Sequence, residues 1–376
     1  MRIGILSMQR IRNYGSFMQA YGLKSLLEEL GHEVEFVDYK IEPCIGVSGR
    51  YIIKKKIRMC LHIPQMKAWC RAKFKASEMS SYERTSSFFA KRYDKEFLPL
   101  LGISRRMKYR KKVDTLVIGS DEVFNCLQQN EDVGFSKELF GFRNNAKKVI
   151  TYAASFGNTT VERLEKHEKK EEVTYLLKKI DKISVRDTNS EKVIKALLGK
   201  EPTYNMDPVL MYDFSKLIDT DCVKHKDYII VYAYSGRITA QEAVVVQEFA
   251  KKHQKKLISI SGYQDFCDEH LILNPFEVLA YFKNADYIIT DTFHGSIFSI
   301  INNKEFVTII RKTENDSYGN EEKLLDLLHR LKLNNRELKE MSELDVKFAE
   351  KINYDDTNMI IEEQRKRTKE YLRENV

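Results

Sequence analysis

The chain has 376 residues, of which 43% are hydrophobic, which is enough for two ordinary cores and makes two domains the expectation. Its 63 basic and 55 acidic residues give a net charge of +8, which suits anionic ligands, nucleic acid or an anionic membrane surface without choosing among them. Six scattered cysteines with no CxxC pair indicate neither a zinc ribbon nor a disulfide framework.

A βαβ unit opens the sequence. Residues 2–8 are strand-like, residues 16–30 carry apolar side chains at helical spacing, Gly31 ends that helix, and residues 32–39 alternate like a strand. This opening predicts a parallel sheet with helices on its faces. Because no leader pattern precedes the strand and no apolar run reaches the roughly 20 residues of a membrane span, we expect a cytoplasmic protein.

A basic, helix-prone segment from about 50 to 112 interrupts this rhythm, and we interpret it as an insertion with a solvated helical surface. Strands at 113–120, 147–155 and 182–187, followed by a helix that ends at Gly199, then complete a first Rossmann-like domain over 1–205.

A second βα series begins after Asp207, and its strands and helices predict another Rossmann-like domain over 206–376. The segment 356–374 is predicted to be a helix that braces the two domains, packed through Met359, Ile360, Ile361 and Tyr371. The predicted fold is therefore α/β, with two Rossmann-like domains facing a cleft. In such sheets ligands lie beyond the carboxyl ends of the strands, so the residues there are the candidates for function.

Two candidate groups follow strands of the first domain. After the first strand, Asn13 and Gly15 can shape a tight turn and Ser16 can cap the helix, leaving free N–H groups for an anion, although many such turns bind nothing. After the strand at 113–120, Asp121 and Glu122 could act as a general base or bind an acceptor hydroxyl, or Asp121 could simply cap a helix.

Two further groups carry positive charge. Arg186 ends a strand and can grip a carboxylate or phosphate, or pair with Asp187, which itself is typical of a helix start. The segment 290–296 ends a β-rich run and places His294, Gly295 and Ser296 at a helix start. A phosphate bound there would hold the histidine protonated, and the alternative is a packing role.

These residues form short motifs in a fixed order. They are N-Y-G at 13–15, G-S-D-E-V-F-N at 119–125, S-V-R-D at 184–187, D-P at 207–208 and F-H-G at 293–295. In this order they resemble the polysaccharide pyruvyltransferase family over residues 3 to about 310. The resemblance implies the architecture of GT-B glycosyltransferases, phosphoenolpyruvate as donor substrate without a further cofactor, and transfer to a sugar diol to form a pyruvate ketal in bacterial cell-surface or exopolysaccharide biosynthesis.

The resemblance also implies roles for individual residues. Arg186 would grip the donor and His294 would lie beside its phosphate. Some members have arginine where this chain has Thr292, so we expect Arg12, Arg237 or Arg311 to supply that contact. We hypothesise His294 as acid and Asp121 as base, with Glu122 able to exchange roles with Asp121. The full set is catalytic His294, Asp121 and Arg186, donor-binding Asn13, Gly15, Arg186, Thr292, His294, Gly295 and Ser296, and acceptor-binding Tyr14, Glu122 and Asn125.

Several alternatives stay open from sequence alone. No cluster has metal-ligand spacing, so no metal is expected. The rivals are a nucleotide-sugar glycosyltransferase and a non-enzymatic anion- or nucleic-acid-binding protein, although the usual nucleic-acid recognition motifs are missing and we expect no such partner. If the glycan acceptor is lipid-linked, Trp69, Phe74 and nearby lysines could contact the inner face of the cell membrane.

Overall fold

The structure is a computed structural model that describes residues 1–45, 81–104, 106–109, 111–311 and 321–376. Over these residues the chain forms two parallel sheets of six strands each, with helices around them. Trp69, Phe74 and much of the predicted basic insertion lie outside the described residues.

The first sheet belongs to the N-terminal lobe and has the order β2-β1-β3-β4-β5-β6. Its strands are β1 (Arg2–Leu6), β2 (Glu33–Phe36), β3 (Thr115–Asp121), β4 (Lys148–Ala154), β5 (Ser184–Val185) and β6 (Thr203–Tyr204). The helices of this lobe are α1 (Tyr14–Glu29), α2 (Ser81–Arg92), α3 (Leu98–Leu100), α4 (Val161–Lys166), α5 (Lys170–Leu177) and α6 (Thr188–Leu198). All seven residues of β3 are buried, as expected for a parallel strand with helices on both faces.

The second sheet belongs to the C-terminal lobe. Short helix α7 (Pro208–Met211) leads to β7 (Tyr228–Tyr232), β8 (Lys256–Ile260), β9 (Glu269–Leu271), β10 (Tyr287–Thr290), β11 (Phe306–Ile309) and β12 (Glu337–Leu338). The helices are α8 (Ala240–Lys252), α9 (Pro275–Asn284), α10 (Phe293–Ile301), α11 (Glu321–Arg330), α12 (Leu344–Ala349) and α13 (Asp355–Asn375). The strand order β12-β11-β10-β7-β8-β9 is the 3-2-1-4-5-6 order of doubly wound nucleotide-binding sheets.

The described end of the predicted insertion is solvated over its helix and buried over the turn that follows. Helix α2 has no buried residue, and Phe88 is 59% exposed, as expected for a solvated helical surface. In the wide turn Tyr93–Phe97, however, Tyr93 and Phe97 are fully buried, and the ring of Phe89 meets Tyr14 edge-on at 5.1 Å between centroids. Burial of these aromatic side chains fixes the segment onto the lobe.

Helix α13 contacts both lobes. Near its start the Thr357 hydroxyl donates to the carbonyl of Leu331 in the C-terminal lobe, and near its end the Tyr371 hydroxyl donates to the carbonyl of Thr151 in β4 of the N-terminal lobe. Ile361 and Tyr371 are buried as predicted, whereas Met359 is 63% exposed. The apolar core is also continuous between the lobes through residues 206–214.

Each sheet has a topological switch point, which is the place between two neighbouring strands where the chain connections run off in opposite directions. It lies between β1 and β3 in the first sheet and between β7 and β10 in the second. A crevice opens at the carboxyl ends of the strands at such a point, and ligands of open α/β sheets bind there. The loops after these four strands therefore define the place to look for a site.

Candidate active site

A cavity of ≈ 150 Å³ lies between the lobes at the switch points of both sheets. The N-terminal lobe contributes Met8, Ile11, Asn13, Ser16, Asp121, Glu122 and Arg186 to its wall. The C-terminal lobe contributes Tyr232, Tyr234, Arg237, Ser261, Asp291, Thr292, Phe293, His294 and Lys323. Neither lobe alone forms the site.

Asn13 lines the cavity on the side of the N-terminal lobe. It is the N-cap of α1, and its side-chain oxygen accepts from the backbone N–H groups of Gly15 and Ser16 at 2.7 and 3.4 Å. The sequence predicted Ser16 as the cap, with helix N–H groups left for an anion. Because Asn13 accepts from two of those groups, fewer of them remain for an anion, and anion binding at this helix end stays a prediction. The Asn13 amide also donates to the Tyr234 hydroxyl of the other lobe at 3.1 Å.

Arg186 lies at the centre of a buried charge network. Its guanidinium donates to Asp207 at 2.7 Å and to Asp121 at 3.2 Å, and its side chain is only 4% exposed. The guanidinium also lies 4.6 Å from the centre of the Phe293 ring, a cation–π contact across the lobes. Since two carboxylates already occupy this fork, Arg186 orients the wall of the cavity more than it offers a vacant anion grip.

Asp121 is held by three hydrogen bonds. One carboxylate oxygen accepts from Arg186 and from the backbone N–H of Glu122, and the other accepts from the Ser16 hydroxyl at 2.9 Å. Its φ of 76° lies in the left-handed region, which is unfavourable for a residue with a side chain. The network keeps the carboxylate in this conformation and aims it at the cavity.

Glu122 forms an ion pair across the lobes. Its carboxylate accepts from Lys323 of α11 at 2.9 Å and from the Asn125 amide at 2.7 Å. Burial opposes the charged form of Glu122, but Lys323 and Arg186 outweigh it and lower the pKa to about 2. Glu122 is therefore a carboxylate across the physiological pH range, and it contributes negative charge to the cavity.

His294 projects from the first turn of α10 toward the N-terminal lobe. Its Nε2 lies 3.7 Å from Asp207, and its ring packs directly on Gly15, where an added Cβ would come within 2.1 Å of Nδ1. Burial raises the pKa of Asp207, but His294 and Arg186 outweigh this and hold it at about 2. Asp207 thus joins the histidine of one lobe to the arginine of the other.

Asp291 follows β10 and is fully buried in the opposite wall. The Nη1 atom of Arg237 lies 3.7 Å from its carboxylate. Burial raises the pKa of Asp291, and Arg237 and Arg311 only partly offset this. The cavity therefore combines cations, firmly held carboxylates and one carboxyl group that burial makes a weaker acid.

Sequence comparison decides the family. The profile of the polysaccharide pyruvyl transferase family matches residues 13–313, most of the chain and all of the cavity residues from Asn13 to His294. The chain belongs to the polysaccharide pyruvyl transferase family. It is accordingly a transferase that acts in polysaccharide synthesis, as the motifs predicted. Comparison with curated proteins gives no significant match.

Solved structures agree with the two-lobe fold of this pyruvyl transferase. A UDP-GlcNAc 2-epimerase from Neisseria meningitidis is similar with a TM-score of 0.50 and 12% identity, over 100% of both chains. The epimerase from Methanocaldococcus jannaschii also has a TM-score of 0.50 at 12% identity, over 96% of this chain and 99% of its own. An O-GlcNAc transferase mutant from Thermobaculum terrenum has a TM-score of 0.42 at 11% identity, and the chain spans 64% of its length. At these identities the likeness to the two epimerases concerns the fold alone, and with the two parallel six-stranded sheets it confirms the predicted GT-B-like α/β architecture.

Several predicted site residues of the pyruvyl transferase lie behind the wall. The Tyr14 hydroxyl donates to the Leu273 carbonyl at 2.8 Å and accepts from the Leu273 N–H, which fixes Tyr14 in the core between the lobes. Asn125 is 2% exposed and supports Glu122 from behind. Neither Tyr14 nor Asn125 lines the cavity, and their polar atoms bond within the protein, so their predicted contact with the acceptor stays a prediction.

Three residues of the predicted donor set of the pyruvyl transferase do not line the cavity and serve the packing around it. The Gly295 N–H donates to the Thr292 side chain, which caps α10, and a Cβ at Gly295 would come within 2.2 Å of Thr290. The Ser296 hydroxyl is fully buried and lies 2.8 Å from that of Thr308. Gly15 similarly makes room for His294 and does not shape a turn. Of the donor set, Asn13, Arg186, Thr292 and His294 line the cavity.

Of the three arginines that we considered for the donor contact of the pyruvyl transferase, the structure places one in the cavity wall. Arg237 lines the cavity. Arg12 pairs with Asp94 at 2.7 Å and Arg311 pairs with Glu242 at 3.0 Å, and neither lines the cavity, although Arg311 is near enough to Asp291 to lower its pKa.

Three charged residues in or beside the cavity of the pyruvyl transferase had no predicted role. Asp207 stands in the D-P motif at 207–208 and Asp291 in the segment 290–296, so the signal was present but was not read as a site. Lys323 lies in α11, a helix whose apolar residues Leu324, Leu327 and Leu328 repeat at helical spacing, but no local sequence pattern connects Lys323 with Glu122.

Among the described residues no helix has the length and apolar character to cross a bilayer, and no group of three metal-ligating side chains occurs.

Proposed function

We propose that this family member transfers the pyruvyl group of phosphoenolpyruvate to two hydroxyls of one sugar and so forms a cyclic ketal on a bacterial cell-surface or exopolysaccharide. The observation that carries the proposal is the polarity of the cavity. Arg237, Lys323 and His294 stand on the C-terminal wall beside the buried Asp291. Opposite them, on the N-terminal wall, are Asp121 and Glu122, while Arg186 on that wall is already paired with carboxylates. One side suits a compact anion and the other accepts hydrogen bonds from sugar hydroxyls.

The size of the cavity supports a small donor. At ≈ 150 Å³ it is below the roughly 300–1,000 Å³ of pockets that hold drug-sized ligands. Phosphoenolpyruvate carries a carboxylate and a phosphate on three carbons, so it can engage several cations in little space. A nucleotide-sugar donor would need the lobes to separate further.

We assign the roles by position. Arg237 and Lys323 bind the donor anion, and Arg237 supplies the contact that other members make from the position of Thr292. His294 gives a proton to the departing phosphate, with Asp207 as its partner. Asp121 accepts the proton of the attacking hydroxyl, directly or through Ser16, and Glu122 binds the sugar. Arg186 is a positioning residue, because it acts through the two carboxylates that it orients.

We further propose that the reaction takes place in the cytoplasm, at the inner face of the membrane when the acceptor is lipid-linked. The net charge of +8 supports contact with an anionic surface.

The test compares donors and acceptors. Calorimetry should detect binding of phosphoenolpyruvate and not of UDP-GlcNAc or UDP-galactose. Phosphate release should then require a glycoside from a panel that includes p-nitrophenyl β-galactoside and p-nitrophenyl α-mannoside, and the product should gain the mass of a pyruvate ketal. A protein that binds the UDP-sugars and neither binds nor consumes phosphoenolpyruvate would be a glycosyltransferase, and the proposal would be wrong.

A further inference from the structure

A short turn after β7 carries Arg237. Residues 234–237, Tyr-Ser-Gly-Arg, form a β-turn in which the Arg237 N–H donates to the Tyr234 carbonyl at 3.2 Å. Gly236 stands at the third position with a φ of 76°, which a type II turn requires there and which residues with a side chain rarely adopt. The turn thereby places its two ends, Tyr234 and Arg237, together in the cavity wall.

The loop that follows β8 holds this turn from behind. The side-chain amide of Gln264, a residue that is only 5% exposed, donates to the carbonyls of Ala233 and Tyr234, both at 3.3 Å. Gly262 packs so closely on the turn that an added Cβ would come within 2.4 Å of the Ser235 nitrogen. Because these contacts fix the backbone, the turn presents its side chains to the cavity in one arrangement.

The side chains of Tyr234 and Arg237 are stacked. The guanidinium carbon of Arg237 lies 4.5 Å from the centre of the Tyr234 ring, within the range of a cation–π contact. A guanidinium donates hydrogen bonds in its own plane, so a ring against its face fixes its direction without taking any of its N–H groups. Arg186 differs, because carboxylates accept from its N–H groups at 2.7 and 3.2 Å. Stacking is therefore the arrangement that suits an arginine whose task is to grip a ligand.

Tyr234 also reaches across the cleft between the lobes. Its hydroxyl accepts from the Asn13 amide of the N-terminal lobe at 3.1 Å, while the residue as a whole stays 40% exposed. The other tyrosine and the phenylalanine of the cavity wall, Tyr232 and Phe293, are 2% and 9% exposed and belong to the core. Tyr234 thus contacts the arginine through its ring and the opposite lobe through its hydroxyl, and the core does not depend on it.

We propose that Tyr234 is a positioning residue for the donor. Its ring directs the guanidinium of Arg237 toward the phosphoenolpyruvate anion, and its hydrogen bond to Asn13 ties that direction to the contact between the lobes. The inference rests on the proposed function, in which Arg237 binds the donor. Because Asn13 and Arg237 belong to different lobes, the donor is gripped fully only when the lobes are in contact.

The experiment measures phosphoenolpyruvate binding by calorimetry in single and double variants. Tyr234→Phe keeps the ring and loses the hydroxyl, Tyr234→Leu loses both, and Asn13→Ser keeps a cap for α1 without the amide. Each Tyr234 variant is also combined with Arg237→Ala, and Tyr234→Phe with Asn13→Ser. The matched control is Tyr175→Leu. Tyr175 is 57% exposed, its ring centre lies 4.1 Å from the ammonium group of Lys179, and it does not line the cavity.

For Tyr234→Leu we expect the affinity for phosphoenolpyruvate to fall by about 5- to 50-fold, from the loss of a cation–π contact and one hydrogen bond. Tyr234→Phe and Asn13→Ser should each lose about 2- to 10-fold, and the two together no more than either alone. With Arg237→Ala present, neither Tyr234 variant should lower the affinity further, because no guanidinium remains to be positioned. Tyr175→Leu should bind as the wild type does. If Tyr234→Leu does not fold, the combination of Tyr234→Phe with Arg237→Ala decides the same question.

Three results would count against Tyr234 and leave the proposed function standing. Wild-type affinity in Tyr234→Leu would remove its role altogether. An equal loss with and without Arg237 would show that Tyr234 does not act through the arginine. Wild-type affinity in both Tyr234→Phe and Asn13→Ser would break the link to the contact between the lobes. A wild type that does not bind phosphoenolpyruvate at all would overturn both proposals.

Discussion

Replacing Gly15 by alanine tests whether the contact between the lobes fixes the histidine. An alanine inside α1 should by itself stabilise the helix by about 0.5–1 kcal/mol. Its Cβ, however, would lie 2.1 Å from Nδ1 of His294 and 2.3 Å from Cγ. To move from 2.1 to the 3.4 Å of ordinary contact, the ring must retreat by roughly 1.3 Å.

This displacement should affect both stability and turnover. Overpacking of this kind costs about 1–3 kcal/mol, which outweighs the gain in helix propensity and should lower the thermal midpoint by a few degrees. A catalytic group misplaced by about 1 Å loses on the order of 100-fold in rate. Thermal midpoints and phosphate release are the two measurements.

The double variant with His294→Ala isolates the contact. Without the imidazole the added methyl group has room, so Gly15→Ala should be neutral or stabilising in that background. Gly22→Ala in the same helix is the matched control, since its Cβ would meet the Pro208 carbonyl at 3.0 Å and not the histidine. If Gly15→Ala lowers the midpoint equally with and without His294, the steric reasoning is wrong.

Three further outcomes are expected. Tyr14→Phe removes the hydroxyl that bonds Leu273, so it should cost about 1–3 kcal/mol of stability and leave turnover within about threefold; loss of turnover at unchanged stability would restore Tyr14 to the acceptor site. Arg237→Ala should weaken phosphoenolpyruvate binding by about 10- to 100-fold, while Arg12→Ala should not, and equal effects in calorimetry would contradict the assignment. Because the folded pKa values of Glu122 and Asp207 lie at about 2, below their ordinary values of 4.5 and 3.8, their stabilisation is present above about pH 4.5 and is lost as the pH falls toward 2. Unfolding midpoints over that range should fall less steeply in Asp207→Asn, and an unchanged slope would refute the linkage.

The fold could be predicted because its signals are local. Apolar strands, capped helices and the glycine at 199 mark the βα alternation in both halves, and parallel sheets follow from that alternation. The long helix α13 was also predictable, although its inward face was not. Ile361 and Tyr371 are buried but Met359 is not, because the direction of a helix face depends on what packs against it.

The site could be predicted only in part. Residues that follow strands, such as Asp121, Arg186 and His294, were found because parallel strands bring their carboxyl ends together. Which of them offer a polar atom to the cavity depends on contacts between distant segments. Tyr14 meets Leu273 over 259 positions, and Glu122 meets Lys323 over 201 positions. No local pattern contains such pairs, so the sequence could not tell a wall residue from a support.

The ion pair between Glu122 and Lys323 bears on the order in which substrates add. An anionic donor that binds Lys323 competes with Glu122 for the ammonium group, and it thereby frees the carboxylate of Glu122 to accept from another hydrogen-bond donor. A sugar hydroxyl is such a donor, so the glycan finds its partner only after the phosphorylated compound is in place. Steady-state kinetics should accordingly be sequential and ordered, with the small anion as the leading substrate.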